Sequence, residues 1–160
     1  MTIVKAEAFS NQAGIILDLL RFADPMRTLE LNPSEMERLQ ITVERAVRGS
    51  LEVRELLKHR RPASRPSRGS RISPIVRFNN DASDTSTLIE FIGEDRPGLL
   101  YDIASALSRE RCNIELVMID TEAHKAIDVL YVTCDDMKLD PATQSRLGAI
   151  LAQAAEPNAH

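Results

Sequence analysis

Apolar residues recur along this chain with two different spacings, and the switches between them divide it into elements. From residue 2 to 10, Ile3, Ala6, Ala8 and Phe9 are interleaved with Lys5 and Glu7, which predicts a strand. Asn11-Gln12-Ala13-Gly14 reads as a turn. Ile15 to Phe22 reads as a second strand, rich in β-formers, with Asp18 in its middle. Ala23-Asp24-Pro25 ends it. The spacing then changes: between Glu35 and Lys58, Met36, Leu39, Val43, Ala46 and Val47 recur as on one side of a helix. Asn32 or Ser34 can cap that helix, Pro33 suits its first turn, and Gly49-Ser50 is a natural break.

Residues 59 to 74 follow neither pattern. Arg60, Arg61, Arg65, Arg68 and Arg71 stand among Pro, Ser and Gly, a composition that buries too little surface to order itself. The stretch reads as a flexible linker, and a phosphate-binding arm is the functional alternative. Patterning resumes with a short strand at Ile75 to Phe78, a polar turn at Asn79 to Thr85 and a strand at Thr87 to Ile92. A helix from Leu99 to Arg111 places Leu100, Ile103, Ala104 and Leu107 on one face. Asn113 to Thr121 is apolar on both faces, so a second domain or subunit is expected against it. Glu122-Ala123-His124 reads as a hairpin turn and Lys125 to Thr133 as its partner strand. Asp140, as cap, and Pro141 open a last helix to about Gln153. Antiparallel strands alternating with amphipathic helices predict an α+β sandwich with two helices on one face of a sheet.

The first segment repeats the last. Residues 8 to 20 align without gaps on residues 118 to 130, which matches Asp18 to Asp128, and residues 31 to 39 align on 139 to 147 after a two-residue insertion. The first copy holds strand–strand–helix only. Half a sheet leaves an unpaired edge and an uncovered apolar face, so a longer chain, a second copy or the downstream domain has to complete it.

The densest turn signal is Glu94-Asp95-Arg96-Pro97-Gly98-Leu99-Leu100, between the strand at 87–92 and the helix at 99–111. Asp95 can accept hydrogen bonds from the first amides of the helix, Pro97 fits its first turn, and Gly98 admits close approach of a backbone or a ligand. Free amides and the positive end of the helix dipole suit a carboxylate. The same residues also suit a turn that only starts a helix.

Composition narrows the choice of function. The chain is 43% hydrophobic and 28% charged, as in an ordinary globular protein, with a net charge of −4 that argues against wholesale nucleic-acid binding. Aromatics make up 4%, leaving few platforms on which bases could stack. No apolar run approaches the ~20 residues of a membrane span, and the first residues lack a signal-peptide layout. Cys112 and Cys134 fit no C-x-x-C motif, so a reduced cytoplasmic protein is expected, with Cys112 packed as a small hydrophobe. A Gly-Ser turn followed by paired aspartates, as a nucleotidyltransferase needs for two metal ions, is missing: neither Gly49-Ser50 nor Gly69-Ser70 is so followed. None of His59, His124 and His160 adjoins an Asp, as an HD hydrolase would require. No enzyme activity, metal or cofactor is expected of this chain.

Asp95-Arg96-Pro97-Gly98-Leu99-Leu100-Tyr101-Asp102-Ile103-Ala104, followed by Asn113-Ile114-Glu115, Ile119-Asp120-Thr121-Glu122 and Lys125 to Val132, resembles a known family. Over roughly residues 75 to 153 the match is to the C-terminal ACT domain of the bifunctional uridylyltransferase/uridylyl-removing enzymes, which modify the PII nitrogen-signalling protein in response to glutamine. The resemblance implies a ferredoxin-like ACT fold for residues 75–155. It also implies the second half of a preceding ACT domain at 1–58, a basic linker at 59–74, and catalytic domains upstream. ACT domains take an amino-acid effector near the first strand-to-helix turn, often between two such domains. Carried over, the effector site is Asp95, Arg96, Gly98, Leu99, Leu100 and Asn113. Amides of 98–100 would receive the carboxylate, Asp95 the ammonium, and Arg96 would act as a supporting or interface charge. The implied partners are glutamine or a related amino acid, the upstream catalytic domains, a homologous ACT domain and, as a further option, a second copy of the chain. A ligand-free ACT interaction module is the competing reading.

Overall fold

The computed structural model describes residues 2–10, 13, 15–58, 72–122 and 125–156. Most of the expected linker (59–71), most of the turn at 11–14, Ala123, His124, His59 and His160 lie outside the described residues. The elements are β1 (Thr2–Ser10), β2 (Ile16–Ala23), α1 (Thr28–Leu31), α2 (Pro33–Val47), α3 (Val53–Lys58), β3 (Ile75–Asn79), β4 (Thr87–Glu94), α4 (Leu99–Arg109), β5 (Cys112–Glu122), β6 (Lys125–Cys134) and α5 (Pro141–Ala155). The strands form one antiparallel six-stranded sheet in the order β2-β1-β5-β6-β4-β3.

Strict alternation sets the core. Ile89 and Phe91 of β4, Val117 and Ile119 of β5, and Ala126, Leu130 and Val132 of β6 are buried on one face. Against them lie Leu99, Ile103, Ala106 and Leu107 of α4 and Leu147, Leu151 and Ala155 of α5, in the same cluster. This is the expected α+β ferredoxin-like architecture, with both helices on one face. The stripe on α4 is rotated by one residue from expectation: Leu99 and Ala106 are buried, whereas Leu100 and Ala104 are half-buried. The rotation arises because α4 packs against α5 as well as the sheet. At the far end of the sheet a polar clamp closes the structure. Thr87 Oγ1 donates to Asn80 Oδ1 (2.6 Å) and accepts from the Leu139 amide (2.9 Å), while Asn80 Nδ2 donates to the Leu139 carbonyl (3.1 Å).

Helix ends follow the sequence in part. Asp140 caps α5, its Oδ1 accepting from the Thr143 amide at 2.7 Å. Asn32 occupies the cap position of α2 without bonding a helix amide; its Oδ1 instead accepts from the Ser34 hydroxyl at 2.7 Å. Gly49, at φ 66°, ends α2 and separates it from α3, as the Gly-Ser break predicts.

The cysteines depart from expectation. Cys112 and Cys134 face each other in the β5–β6 register and are joined as a disulfide rather than held as thiols. Sequence spacing conceals such a pair, because only the strand register brings the two residues together.

The first segment builds the same elements as its repeat but does not bury them. α2 and α5 are each 15 residues long and open on Pro33 and Pro141. β1 pairs with β5 from Lys5↔Asp120 to Phe9↔Leu116, so an edge of the core sheet, rather than a face, meets the first segment. β2 is exposed along its whole length, including Ile16, Leu17, Leu19 and Leu20, and α2 buries no residue. β6 gains β4 on its second edge and helices on its inner face; β2 has neither among the described residues.

Candidate functional site

β4 delivers the chain to the turn at Asp95–Gly98, and α4 carries it back over the sheet. Gly98 sits at the cap position of α4 with φ 86°, a left-handed conformation that strains any residue with a Cβ. The Leu99 amide donates to the Arg96 carbonyl at 3.2 Å, and the Asp102 amide donates to the Gly98 carbonyl at 2.9 Å. Among the described residues no side chain caps the helix. Asp95, expected in that role, is exposed at the start of the turn: Arg96, Pro97 and Gly98 intervene, and a cap must directly precede the first helical residue. Helix geometry leaves the Leu100 and Tyr101 amides without acceptors inside the helix, so the positive end of α4 opens at this turn. Leu57 of α3 rests on it: its Cδ1 lies 3.5 Å from where a Cβ on Gly98 would stand.

Arg96 is a brace rather than a free charge. Its Nη2 donates to Asp102 Oδ2 and to the carbonyl of Ala154, both at 2.6 Å, tying the turn to the last turn of α5. Asn113 lies elsewhere. It pairs with Thr133 near the end of β6, whereas Glu94, at the turn, pairs with Lys125 at its start. At about 3.3 Å per residue the two places are roughly 26 Å apart. The structure therefore brings together Asp95, Arg96, Gly98, Leu99 and Leu100, and leaves Asn113 at the opposite end of the sheet.

One residue of this region escaped the sequence reading as a site residue. Asp128 lies on the helix-covered face, between Phe91 of β4 and Ile119 of β5, and is only 2% exposed. Its Oδ1 has no hydrogen-bond partner among the described residues. Burial first, and the negative charge of Asp95 second, push its carboxyl up to about 7. The signal was present in the sequence: Asp128 holds a buried place in the alternation Ala126, Asp128, Leu130, Val132. Its repeat counterpart Asp18 is exposed on β2.

Gly93 shapes the neighbouring wall. A Cβ there would stand 2.8 Å from Phe91 Cζ, so the ring of the fully buried Phe91 occupies the space that Gly93 leaves. Gly93→Ala is expected to displace that ring and lower stability by about 1–3 kcal/mol in a urea melt. An unchanged midpoint would show that the ring relaxes freely.

Taken together, the turn offers backbone amides at the positive end of a helix, with carboxylates of Asp95 and Asp128 close enough to interact electrostatically. Among the described residues, no group of three or more His, Cys, Asp or Glu is placed to hold a metal ion. None of the described helices is long and apolar enough to cross a membrane.

Residues 87–143, from β4 to the start of α5, match the ACT domain family. The chain is 33% identical over 163 residues to the bifunctional uridylyltransferase/uridylyl-removing enzyme of Azospirillum brasilense, covering 98% of this chain and 17% of that protein. The enzyme of the same description from Gluconobacter oxydans is 36% identical over 150 residues, covering 91% of this chain and 16% of that protein. In Rhodopseudomonas palustris the figures are 33% over 138 residues, 82% and 14%. The chain thus spans about one sixth of the length of these relatives. No solved structure is significantly similar to it. The chain carries an ACT domain and, over nearly its whole length, is a relative of one part of the bifunctional uridylyltransferase/uridylyl-removing enzymes.

Proposed function

We propose that this chain is an amino-acid-sensing regulatory part of a PII uridylyltransferase-like protein, responding to glutamine or a related amino acid. The observation that carries the reading is the uncapped start of α4 at the left-handed Gly98. In this reading the amides at 98–100 receive the effector's carboxylate, Asp95 lies beside its ammonium, and Arg96 holds the turn in shape. Residues 1–58 are the second half of a first ACT unit, 59–74 a linker, and 75–155 the second unit. The open edge of β2 receives a strand equivalent to β4, followed by its own turn and helix. The antiparallel β1–β5 pairing relates the two units by an approximate two-fold. Asn113 then lies at the end of the sheet where the first unit's turn belongs, and serves an effector bound there.

Regulation follows from differential binding. An effector that favours one packing of paired ACT units biases catalytic domains attached to them, and such coupling is typically ~1–3 kcal/mol. A pure interaction module is favoured by one observation, the exposed apolar β2 and α2. Isothermal titration of the 160-residue chain with glutamine separates the two. Wild type is expected to bind, and Gly98→Val to lose binding at least tenfold while keeping its circular dichroism. A folded Gly98→Val that binds glutamine as wild type does makes the turn structural and leaves the interaction reading.

A further inference from the structure

We propose that Asp128 is the cation-binding residue of the site at the Asp95–Gly98 turn, its buried carboxylate receiving the ammonium group of a zwitterionic amino acid. The inference rests on the reading of the turn as an effector site and assigns it a residue on a different strand. Nearly every other side chain on the inner face of β4, β5 and β6 is apolar, yet Asp128 stands in the middle of that face with Oδ1 unpartnered. A buried carboxyl oxygen without a donor is costly, and such a group is retained where something else supplies the donor. Asp128 is diagonal to Gly93, the residue that lacks a side chain on the way to the turn, since Gly93 pairs with Ala126 and Phe91 with Asp128. Phe91 and Ile119, both buried, flank Asp128 on the two neighbouring strands.

The charged groups around Asp128 leave the cation role to the ligand. From β4, Asp95 acts on it with like charge. At the start of α4, Arg96 Nη2 is bonded to Asp102 and the Ala154 carbonyl, and its buried Nε has no partner among the described residues, Asp128 included. α5 carries Arg146, which is bonded to Glu110. Asp120 of β5, Lys125 of β6 and Glu94 of β4 have the opposite strand parity and point to the other face, as do Lys5 and Glu7 flanking the buried Ala6 of β1. Arg54 and Glu55 of α3 are exposed.

A distinctive consequence is proton release. With its carboxyl at about 7 in the free protein, Asp128 is largely protonated at pH 6, and binding an ammonium requires it to ionise and pass its proton to solvent. Affinity for glutamine is then expected to rise about tenfold from pH 6 to pH 8, following the ionised fraction. Titration calorimetry of the 160-residue chain at both pH values, in two buffers of different ionisation enthalpy, measures affinity and released protons together. Asp128→Asn should bind at least tenfold more weakly at pH 8 and lose the pH dependence; Asp18→Asn should match wild type. Glutamine binding by wild type without proton release, or undiminished binding by Asp128→Asn, overturns the assignment and leaves the effector reading standing. Absence of glutamine binding by wild type at either pH overturns both. Should Asp128→Asn fail to fold, proton release by wild type decides alone.

Discussion

Replacing Arg96 by alanine is expected to destabilise the chain by about 2–4 kcal/mol, because the change removes two charge-assisted hydrogen bonds to partly buried acceptors at once. Arg96 Nη2 satisfies both the Asp102 carboxylate and the Ala154 carbonyl, and the two side chains are only 20% and 10% exposed. Without the guanidinium, the Asp102 carboxylate loses its ion pair with Arg96 and the end of α5 loses its tie to the turn. For a chain of this size the loss corresponds to a drop in melting temperature on the order of 10 °C. Arg96→Lys should recover only part of it, since both bonds come from one terminal nitrogen of the guanidinium and the shorter lysine side chain reaches the two acceptors less well. A melting temperature unchanged within 1–2 °C, to give the approximate resolution of a thermal scan, would show that Asp102 finds another partner and that Arg96 is not the brace.

Asp128→Asn is expected to be more stable than the parent at pH 8, with a gap that narrows as the pH falls. The folded chain holds this carboxyl at about 7, well above its ordinary 3.8. Between those values the folded state binds a proton that the unfolded state has already released. Stability from this group is therefore greatest below the unfolded value, falls as pH rises, and levels off above the folded value. Asn mimics the protonated form at every pH, while all other carboxylates titrate alike in both proteins and cancel. The difference between variant and parent should thus widen by roughly 2–3 kcal/mol from pH 5 to pH 8. A pH-independent difference in urea melts would mean that Asp128 is ionised and paired in the folded chain. This measurement needs no ligand, so it tests the burial of the carboxyl separately from what binds it.

Local chemistry made much of the molecule legible. The alternation at Thr87–Ile92 and Lys125–Thr133, the Asp140-Pro141 helix start and the Gly49-Ser50 break each depend on neighbours in sequence, and each forms as expected. Features that depend on register were hidden. Cys112 meets Cys134 only through the β5–β6 pairing, and Arg96 reaches Ala154 only because α4 and α5 pack side by side. Only the resemblance groups Asn113 with the turn, and one strand length separates them in this chain. Its place just before the helix predicts Asp95 as the cap, but the left-handed Gly98 takes that position. Asp128 is visible in the sequence as a repeat match, but its significance lies in which face of the sheet it occupies.

The junction between β1 and β5 has a kinetic side. It unites strands from nearly opposite ends of the chain, whereas β5 and β6 form a local hairpin. Closing so long a loop carries the larger entropic cost, so the hairpin and its helices should assemble first and β1 should dock last. By the same logic β1, β2 and α2 can peel away as one cooperative unit while the disulfide-linked core stays folded. Only Ala6 is fully buried among the described side chains of that unit, so little holds it beyond the strand pairing itself. Hydrogen exchange would then register two opening reactions in this chain, a shallow one that frees the edge of β5 and a deep one that dissolves the core.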